Sequence, residues 1–305
     1  MTPVRFKKRV VDGVLLLDKP FGMTSNKALQ TARWHYHAAK AGHTGVLDPL
    51  ASGLLPVCLG EATKFSAYLL DADKRYTASV RFGSVSTTGD LEGTLTAVAP
   101  PTFSADALRA ALVGLLGEQM QQAPMHSALK HEGKALYEYA RQGIVVPPKV
   151  RQITLHQLNL LAFDGETAEI DVLCSKGTYI RTLAEDLGKL MGCGAHLAGL
   201  RRTATAGFLL ADALTLETLE ATPPEARDAL LLPPDILVAH LPEVTLTDAE
   251  VDAICHGQAV HSEQKNAIID RCRLYAVDKR FIGLGAVRAD GLLWPDRLLA
   301  SAAIS

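Results

Sequence analysis

The stretch that most constrains this chain is residues 42–53, which read GHTGVLDPLASG. Its three glycines allow tight turns and let other backbone approach closely. Its single acid, Asp48, precedes Pro49 and is therefore biased toward extended backbone rather than helix. The interleaved Val46, Leu47 and Leu50 are not typical of a solvated turn. We interpret the stretch as a loop packed on a core and presenting one carboxylate; the alternative is an ordinary glycine-rich turn with a solvated Asp.

This run closely resembles the signature loop of the TruB family, the tRNA pseudouridine-55 synthases, whose usual form is GHTGxLDPLATG. The similarity covers most of residues 10–208 and continues more weakly at the C-terminus. In that family the aspartate of the loop is the catalytic nucleophile. The resemblance therefore implies that Asp48 has this role here.

The composition is that of an ordinary soluble protein. A chain of 305 residues, 48% hydrophobic and 21% charged, is long for one domain and comfortable for two. We expect no signal peptide and no membrane span, since the apolar runs are too short. Five cysteines without a CxxC pair favour reduced thiols in a cytoplasmic protein and argue against a disulfide framework or a zinc site. With no P-loop, HExxH or GxGxxG motif, we predict no metal and no cofactor.

Charge is distributed unevenly along the chain. Residues 1–40 contain eight Lys or Arg and two Asp, whereas residues 211–252 contain ten acids and one Arg. A basic half in a chain of net charge −2 suggests a polyanion bound on one face. Basic segments that only solvate the chain are the alternative.

Hydrophobic periodicity predicts alternating strands and helices. Residues 153–163 and 167–174 form a convincing hairpin over Asp164-Gly165. The other predicted elements are strands at 10–17, 54–59, 74–83 (a sheet edge) and 94–98, and helices at 25–37 (N-capped by Ser25), 61–70, 104–116 and 135–142.

These elements and the resemblance together imply an α+β fold. The implied catalytic domain spans residues 1–210, with a mixed, largely antiparallel sheet and flanking helices. It carries an RNA-clasping insertion at about 124–151. An acidic, proline-containing transition or linker follows at 211–241. Residues 242–305 resemble a small β-rich PUA module that binds RNA, because they carry the pattern FxGxG…PxRLL.

The resemblance also implies a base-binding pocket. Tyr76 would stack on the target base, Tyr179 would contact it, and Leu200 would support it from below. Arg181, in the motif KGTYIR, would pair with Asp48. A guanidinium within a few ångströms lowers the pKa of an aspartate and fixes its rotamer. If the chain is still extended there, Tyr179 and Arg181 share a face.

Further substrate-binding residues are implied around this pocket. His43 is a candidate to fill the space that the flipped base vacates, and Arg202, like Arg201, is expected to meet phosphate. Lys130 and Arg141 would clasp the RNA. Basic side chains interleaved with aromatic ones suit the binding of an RNA loop, because phosphates need positive charge and splayed nucleobases need stacking partners. Two motif positions complete the set: Lys19 in a Lys-Pro pair whose role in the family is structural, and Asp90 as an indirect contributor to the site.

The implied reaction converts the uridine at position 55 in the T-loop of tRNA to pseudouridine. It needs base flipping and exchange of an N–C for a C–C glycosidic bond. Asp48 could attack C1′, attack C6 or assist elimination. The implied partner is the tRNA T-arm; we expect a monomer without an obligate protein partner, with tRNA folding as a concurrent activity.

Two other classes of protein were weighed. A glycoside hydrolase would need a second carboxylate, and none of the motifs supplies one beside Asp48. A purely RNA-binding protein would lack only the set Asp48, Arg181 and Tyr76, which is intact.

Overall fold

The computed structural model describes residues 8–127, 129–261 and 269–300. It is an α+β protein, which confirms the predicted fold class. In chain order the elements are β1 Gly13–Lys19, α1 Ser25–His35, β2 Ala41–His43, β3 Ala51–Leu59, β4 Lys74–Phe82, β5 Ser84–Ser86, β6 Leu95–Ala97, α2 Ala105–Gly114, β7 Gly117–Gln122, β8 Lys130–His131, β9 Lys134–Ala135, α3 Leu136–Arg141, β10 Val150–Phe163, β11 Thr167–Cys174, α4 Ile180–Leu190, β12 Ala195–Thr205, β13 Phe208–Leu209, α5 Leu216–Ala221, β14 Glu243–Leu246, α6 Asp248–Cys255, β15 Val260–His261, β16 Ile269–Ala276, β17 Phe281–Val287 and β18 Leu292–Leu298.

The N-terminal module is built on one large sheet. Seven strands run in the order β1-β3-β12-β4-β11-β10-β7, with β2 added on β3 and β13 on β12. All pairs are antiparallel except β3–β12, where Ala51 pairs with Leu200 and Gly53 with Arg202. This parallel pair joins the second and third strands of that order. It brings the end of the 42–53 loop beside the strand that carries Leu200.

The strongest strand predictions are confirmed, and two details are wrong. The hairpin forms as β10 and β11, and residues 54–59 lie within β3. Residues 74–82 form a strand, β4, but not at an edge, because β12 and β11 pair with its two sides. The N-cap of α1 is Thr24, whose hydroxyl accepts from the Lys27 amide, and Ser25 is the first helical residue.

The predicted helix at 61–70 is also wrong. Two short 3₁₀ helices, Gly60–Lys64 and Ser66–Leu69, replace it. Phe65 stands between them and is fully buried. The break turns Phe65 into a core that it shares with the C-terminal module, 5.6 Å from the ring of Phe281.

The acidic segment 211–241 is packed rather than loose. Its backbone bonds to both ends of β1, through Leu214 and Leu232. Arg227 is buried and donates to the carbonyl oxygen of His35 at 2.9 Å, while Tyr36 donates to the carbonyl oxygen of Arg227. The segment predicted as a transition therefore packs onto the N-terminal module.

The C-terminal module is a five-stranded sheet in the order β14-β16-β17-β18-β15, with α6 packed beside it. Lys64 donates to the carbonyl oxygen of Leu298 at 2.8 Å, and Arg297 donates to the carbonyl oxygen of Lys64 at 2.8 Å. Hydrogen bonds thus reinforce the apolar contact at Phe65. No helix within the described residues is both long and apolar enough to cross a bilayer.

We predict that Phe65→Ala destabilises the protein by about 3–5 kcal/mol, because it removes a buried ring from a core shared by both modules. Urea unfolding measures the change. Phe21→Ala is the matched control, since Phe21 is 63% exposed and its loss should change stability by no more than about 0.5 kcal/mol. Equal effects of the two substitutions would contradict the assignment.

Candidate active site

A cavity of about 260 Å³ opens at the end of the 42–53 loop. Its walls come from this loop, from β4, from the residues that lead into α4, and from β12. It brings together five of the predicted site residues and one that was expected on phosphate: Asp48, Tyr76, Tyr179, Arg181, Leu200 and Arg202.

Ser25 fixes the loop that carries Asp48. The Ser25 hydroxyl donates to the carbonyl oxygen of Leu47 at 2.9 Å and accepts from the Leu47 amide at 2.8 Å. The Gly22 amide donates to the carbonyl oxygen of Pro49 at 2.8 Å. The residues on both sides of Asp48 are therefore held to the start of α1. Sequence reasoning assigned Ser25 only to a helix cap and missed this contact.

Arg181 faces Asp48 as predicted, but from a helix. It is the second residue of α4, so the condition that the chain is still extended from Tyr179 to Arg181 is not met. Its Nη2 lies 3.2 Å from Asp48 Oδ2 and its Nη1 lies 3.5 Å from Asp90 Oδ2. The same guanidinium donates to the carbonyl oxygens of Thr88 at 3.1 Å and His126 at 2.8 Å. With its side chain only 7% exposed, Arg181 is held in one orientation.

The pKa of Asp48 is raised above its ordinary value, contrary to the prediction from Arg181 alone. Loss of hydration at the cavity wall is the largest cause and disfavours the carboxylate. Arg181 and Lys19 lower this pKa, whereas Asp90 raises it. The Asp48 side chain is still 46% exposed toward the cavity. The pair therefore presents an accessible carboxylate that water solvates poorly.

The walls beside Asp48 are apolar and aromatic. Tyr76 lies on β4 opposite Arg202 of β12, and burial raises the pKa of its hydroxyl. Tyr179 caps α4, and the Gln121 side chain bonds to both its amide, at 2.8 Å, and its carbonyl oxygen, at 3.1 Å. Gln121 has no sequence signature, and the prediction missed it.

Two predicted substrate-binding residues are too buried to reach the phosphate backbone of an RNA. Arg202 is 1% exposed, and its Nε donates to the carbonyl oxygen of Leu54 at 2.7 Å. The prediction that Arg202 meets phosphate is therefore wrong. Lys19 is 0% exposed and donates to the carbonyl oxygens of Pro20 and Met23. His43 lies on β2 and does not line the cavity.

The insertion contributes a separate basic surface. Lys130 lies on β8, which pairs with β9, and Arg141 ends α3. Both side chains are exposed. The Arg141 guanidinium lies 5.3 Å from the centre of the Tyr137 ring. This arrangement combines charge with a stacking surface, but away from Asp48.

The described residues contain no group of three or more His, Cys, Asp or Glu side chains that could hold a metal ion.

Models of known protein families match this sequence along most of its length. A family model described as TruB family pseudouridylate synthase (N terminal domain) matches residues 33–180. A model described as tRNA pseudouridylate synthase B C-terminal domain matches 181–239, and one described as Pseudouridine synthase II TruB, C-terminal, matches 242–299.

Curated relatives share more than half of the sequence. A protein named tRNA pseudouridine synthase B from Chromobacterium violaceum is 59% identical over 304 residues, which cover 99% of each chain. Its namesake from Neisseria meningitidis serogroup B is 54% identical over 91% of each chain. Among solved structures, a Cbf5-Nop10-Gar1 complex contains a chain 25% identical with a TM-score of 0.67, covering 96% of this chain and 81% of that one. A chain from an H/ACA RNP bound to a substrate RNA, 23% identical with a TM-score of 0.68 over 94% of this chain and 84% of its own, shows the same fold.

The fold, the site and these relatives define an isomerase of the pseudouridine synthase class. Within that class, the chain belongs to the TruB family, which confirms the resemblance seen in the sequence.

The raised pKa of Asp48 predicts a pH-dependent change in stability for Asp48→Asn. Because the folded state disfavours the carboxylate, Asn should raise the free energy of unfolding near pH 7. The gain should vanish as the pH falls below the ordinary aspartate pKa of about 3.9, where both states are protonated. Urea unfolding across this range tests it.

Asp171→Asn is a control of opposite sign. A hydrogen bond from Arg75 lowers the pKa of Asp171. That carboxylate stabilises the fold above the unfolded pKa, and the stabilisation is lost as the pH falls through the folded pKa. Asn should therefore destabilise the protein near pH 7. The same sign for both variants would contradict the two assignments.

Proposed function

We propose that the protein isomerises the uridine at position 55 in the T-loop of tRNA to pseudouridine. The observation that carries this proposal is Asp48 at the wall of a nucleobase-sized cavity, 3.2 Å from Arg181 and beside Tyr76. A uridine must leave its stack to enter such a cavity, so base flipping precedes chemistry. The relatives' printed name supports tRNA as the substrate.

Each wall of the cavity has a role in this proposal. Asp48 is the nucleophile or the base at the sugar or ring, and Arg181 orients it. Tyr76 stacks on the flipped base, which every base permits through its π-face. Leu200 and Tyr179 hold the detached ring, and His43 fills the space that it vacated in the RNA.

The arrangement does not suit a hydrolase. Asp90 is the second acid near Arg181, but its oxygens are already engaged. Oδ1 accepts from the Thr88 hydroxyl at 2.6 Å and from the Glu92 amide at 3.0 Å, and Oδ2 faces Arg181 at 3.5 Å. A general acid needs a proton and access to the leaving group. Asp90 instead buttresses Arg181.

Binding of the RNA extends beyond the cavity. In the proposal, Lys130 and Arg141 of the insertion clasp the T-arm, and the module at 242–305 acts as a PUA-like RNA-binding domain. The enzyme works as a cytoplasmic monomer without an obligate protein partner. This division places chemistry at Asp48 and affinity on the exposed basic surface.

We predict that Asp48→Asn abolishes isomerisation and leaves RNA binding largely intact, because only a carboxylate can serve as nucleophile or base. Forming the C5–C1′ bond releases the hydrogen of C5, so tritium release from tRNA labelled at uridine C5 measures the reaction without added cofactor. Release by the wild type but not by Asp48→Asn, with similar binding of both to tRNA, is expected. Release by both proteins would remove Asp48 from the mechanism.

We predict that Lys130→Ala and Arg141→Ala weaken tRNA binding and each lower the slope of log K against log salt by about one. Titrations at several salt concentrations measure the slope. Arg109→Ala is the control, since Arg109 lies on α2 outside the insertion and pairs with Asp106. Unchanged slopes in the two insertion variants would refute the clasp.

A further inference from the structure

Three buried cations lie behind the active-site cavity. They are Lys19 at the end of β1, Lys74 at the start of β4, and Arg202 on β12. Lys19 and Arg202 are almost completely buried, and Lys74 nearly so. We call these three residues the cationic floor. Lys74 and Arg202 both line the cavity itself.

The cationic floor donates its hydrogen bonds to carbonyl oxygens rather than to acids. Lys74 donates to the carbonyl oxygens of Leu70 and Ala72, and Lys19 to carbonyl oxygens at the start of α1. Arg202 donates to the carbonyl oxygens of Leu54 at 2.7 Å and Gly45 at 3.3 Å. Within the described parts of the chain, no carboxylate forms an ion pair with any of the three.

Burying three cations together is costly, and their like charges repel one another. Burial lowers the pKa of Lys19 to about 8, with Asp48 opposing this and Arg202 reinforcing it. Burial and Arg202 also lower the pKa of Lys74. Buried charges without a counterion are rare in proteins, because lost hydration is not repaid. An anion placed in the cavity would supply the missing countercharge.

Arg202 extends this charge to the place where the base would lie. It pairs with Tyr76 across β12 and β4, and both residues line the cavity. Tyr76 is the proposed stacking partner of the flipped base. Arg202 therefore lines the same cavity that would hold the ring, on the strand next to that of Tyr76.

We propose that the cationic floor stabilises the negative charge that develops on the uracil ring during the reaction. This inference rests on the proposed function. When the N1–C1′ bond breaks, its electron pair stays on N1 and spreads to O2 and O4, while Asp48 bonds to C1′ or takes the C2′ proton. If Asp48 adds to C6 first, the charge forms on O4.

The rest of the sequence balances. The ring turns, C5 bonds to C1′, and Asp48 is released from C1′ or C6, or the proton returns to C2′. C5 loses one proton and N1 gains one. No atom or electron is lost, and each route passes through an electron-rich ring that a fixed positive charge favours.

The test measures sensitivity to the leaving group. T-arm stem–loops with uridine or 5-fluorouridine at the target position react with the enzyme under single-turnover conditions. The RNA is then digested, and the loss of the starting nucleoside is quantified. Fluorine withdraws electrons and stabilises the ring anion by itself. Arg202→Gln should slow the uridine substrate by about 100-fold but 5-fluorouridine by only about 10-fold. The rate with 5-fluorouridine divided by the rate with uridine is therefore higher for Arg202→Gln than for the wild type.

Two further variants keep the test decisive. Lys74→Gln removes charge while retaining a donor for the Leu70 carbonyl oxygen, so it applies the same test if Arg202→Gln does not fold. Arg201→Gln removes the neighbouring arginine, which pairs with Asp18 at 2.6 Å, and should leave the ratio unchanged. Equal slowing of both substrates by Arg202→Gln and Lys74→Gln would overturn the proposal and assign the floor a structural role.

Failure of this inference is separable from failure of the proposed function. If the wild type converts the uridine substrate but the variants leave the ratio unchanged, only the cationic floor is refuted. If the wild type converts neither substrate, the proposed function itself fails.

Discussion

The site depends on the contacts that the guanidinium of Arg181 makes. It contacts Asp48 and Asp90 and donates to the carbonyl oxygens of Thr88 and His126. Three segments that are distant in sequence, at Asp48, at Thr88 and Asp90, and at His126, therefore meet at one planar, permanently charged group. A lysine could not satisfy them, because its ammonium lacks the fixed fork of donors. The contact with His126 also ties the insertion to the carboxylate, so both share one anchor.

The parallel pair β3–β12 provides the frame for this anchor. Gly53 has φ +102°, and a Cβ at that position would lie 2.3 Å from the carbonyl oxygen of Arg202. The last glycine of the loop is thus required by the close approach of β12, in addition to the freedom it gives the turn. That approach places Leu200 next to Ala51 and buries Arg202. One backbone contact therefore sets both the apolar and the charged side of the cavity.

Local patterns succeeded where local forces decide the structure. The hairpin over Asp164-Gly165 carries its own turn chemistry and alternation, and it forms as predicted. The helix predicted at 61–70 failed because Phe65 gains more by packing against Phe281, more than two hundred residues away, than by continuing a helix. The acidic segment 211–241 resembled a linker because its contacts, too, are with residues that are distant in sequence. Its anchors, such as Arg227, bind elements of α1 that no local pattern reveals.

The sequence by itself determined the family, the α+β class and the identity of the central carboxylate, because motifs such as GHTGVLDPLASG and KGTYIR are written in contiguous residues. Only the tertiary structure decided the electrostatics. It placed Arg202 inside the protein rather than on phosphate, and it raised the pKa of Asp48 despite the facing arginine. The physical reason is that hydration is lost through burial by distant elements. The sequence identifies a charged side chain, but it does not show how much of the hydration of that side chain is lost when the protein folds.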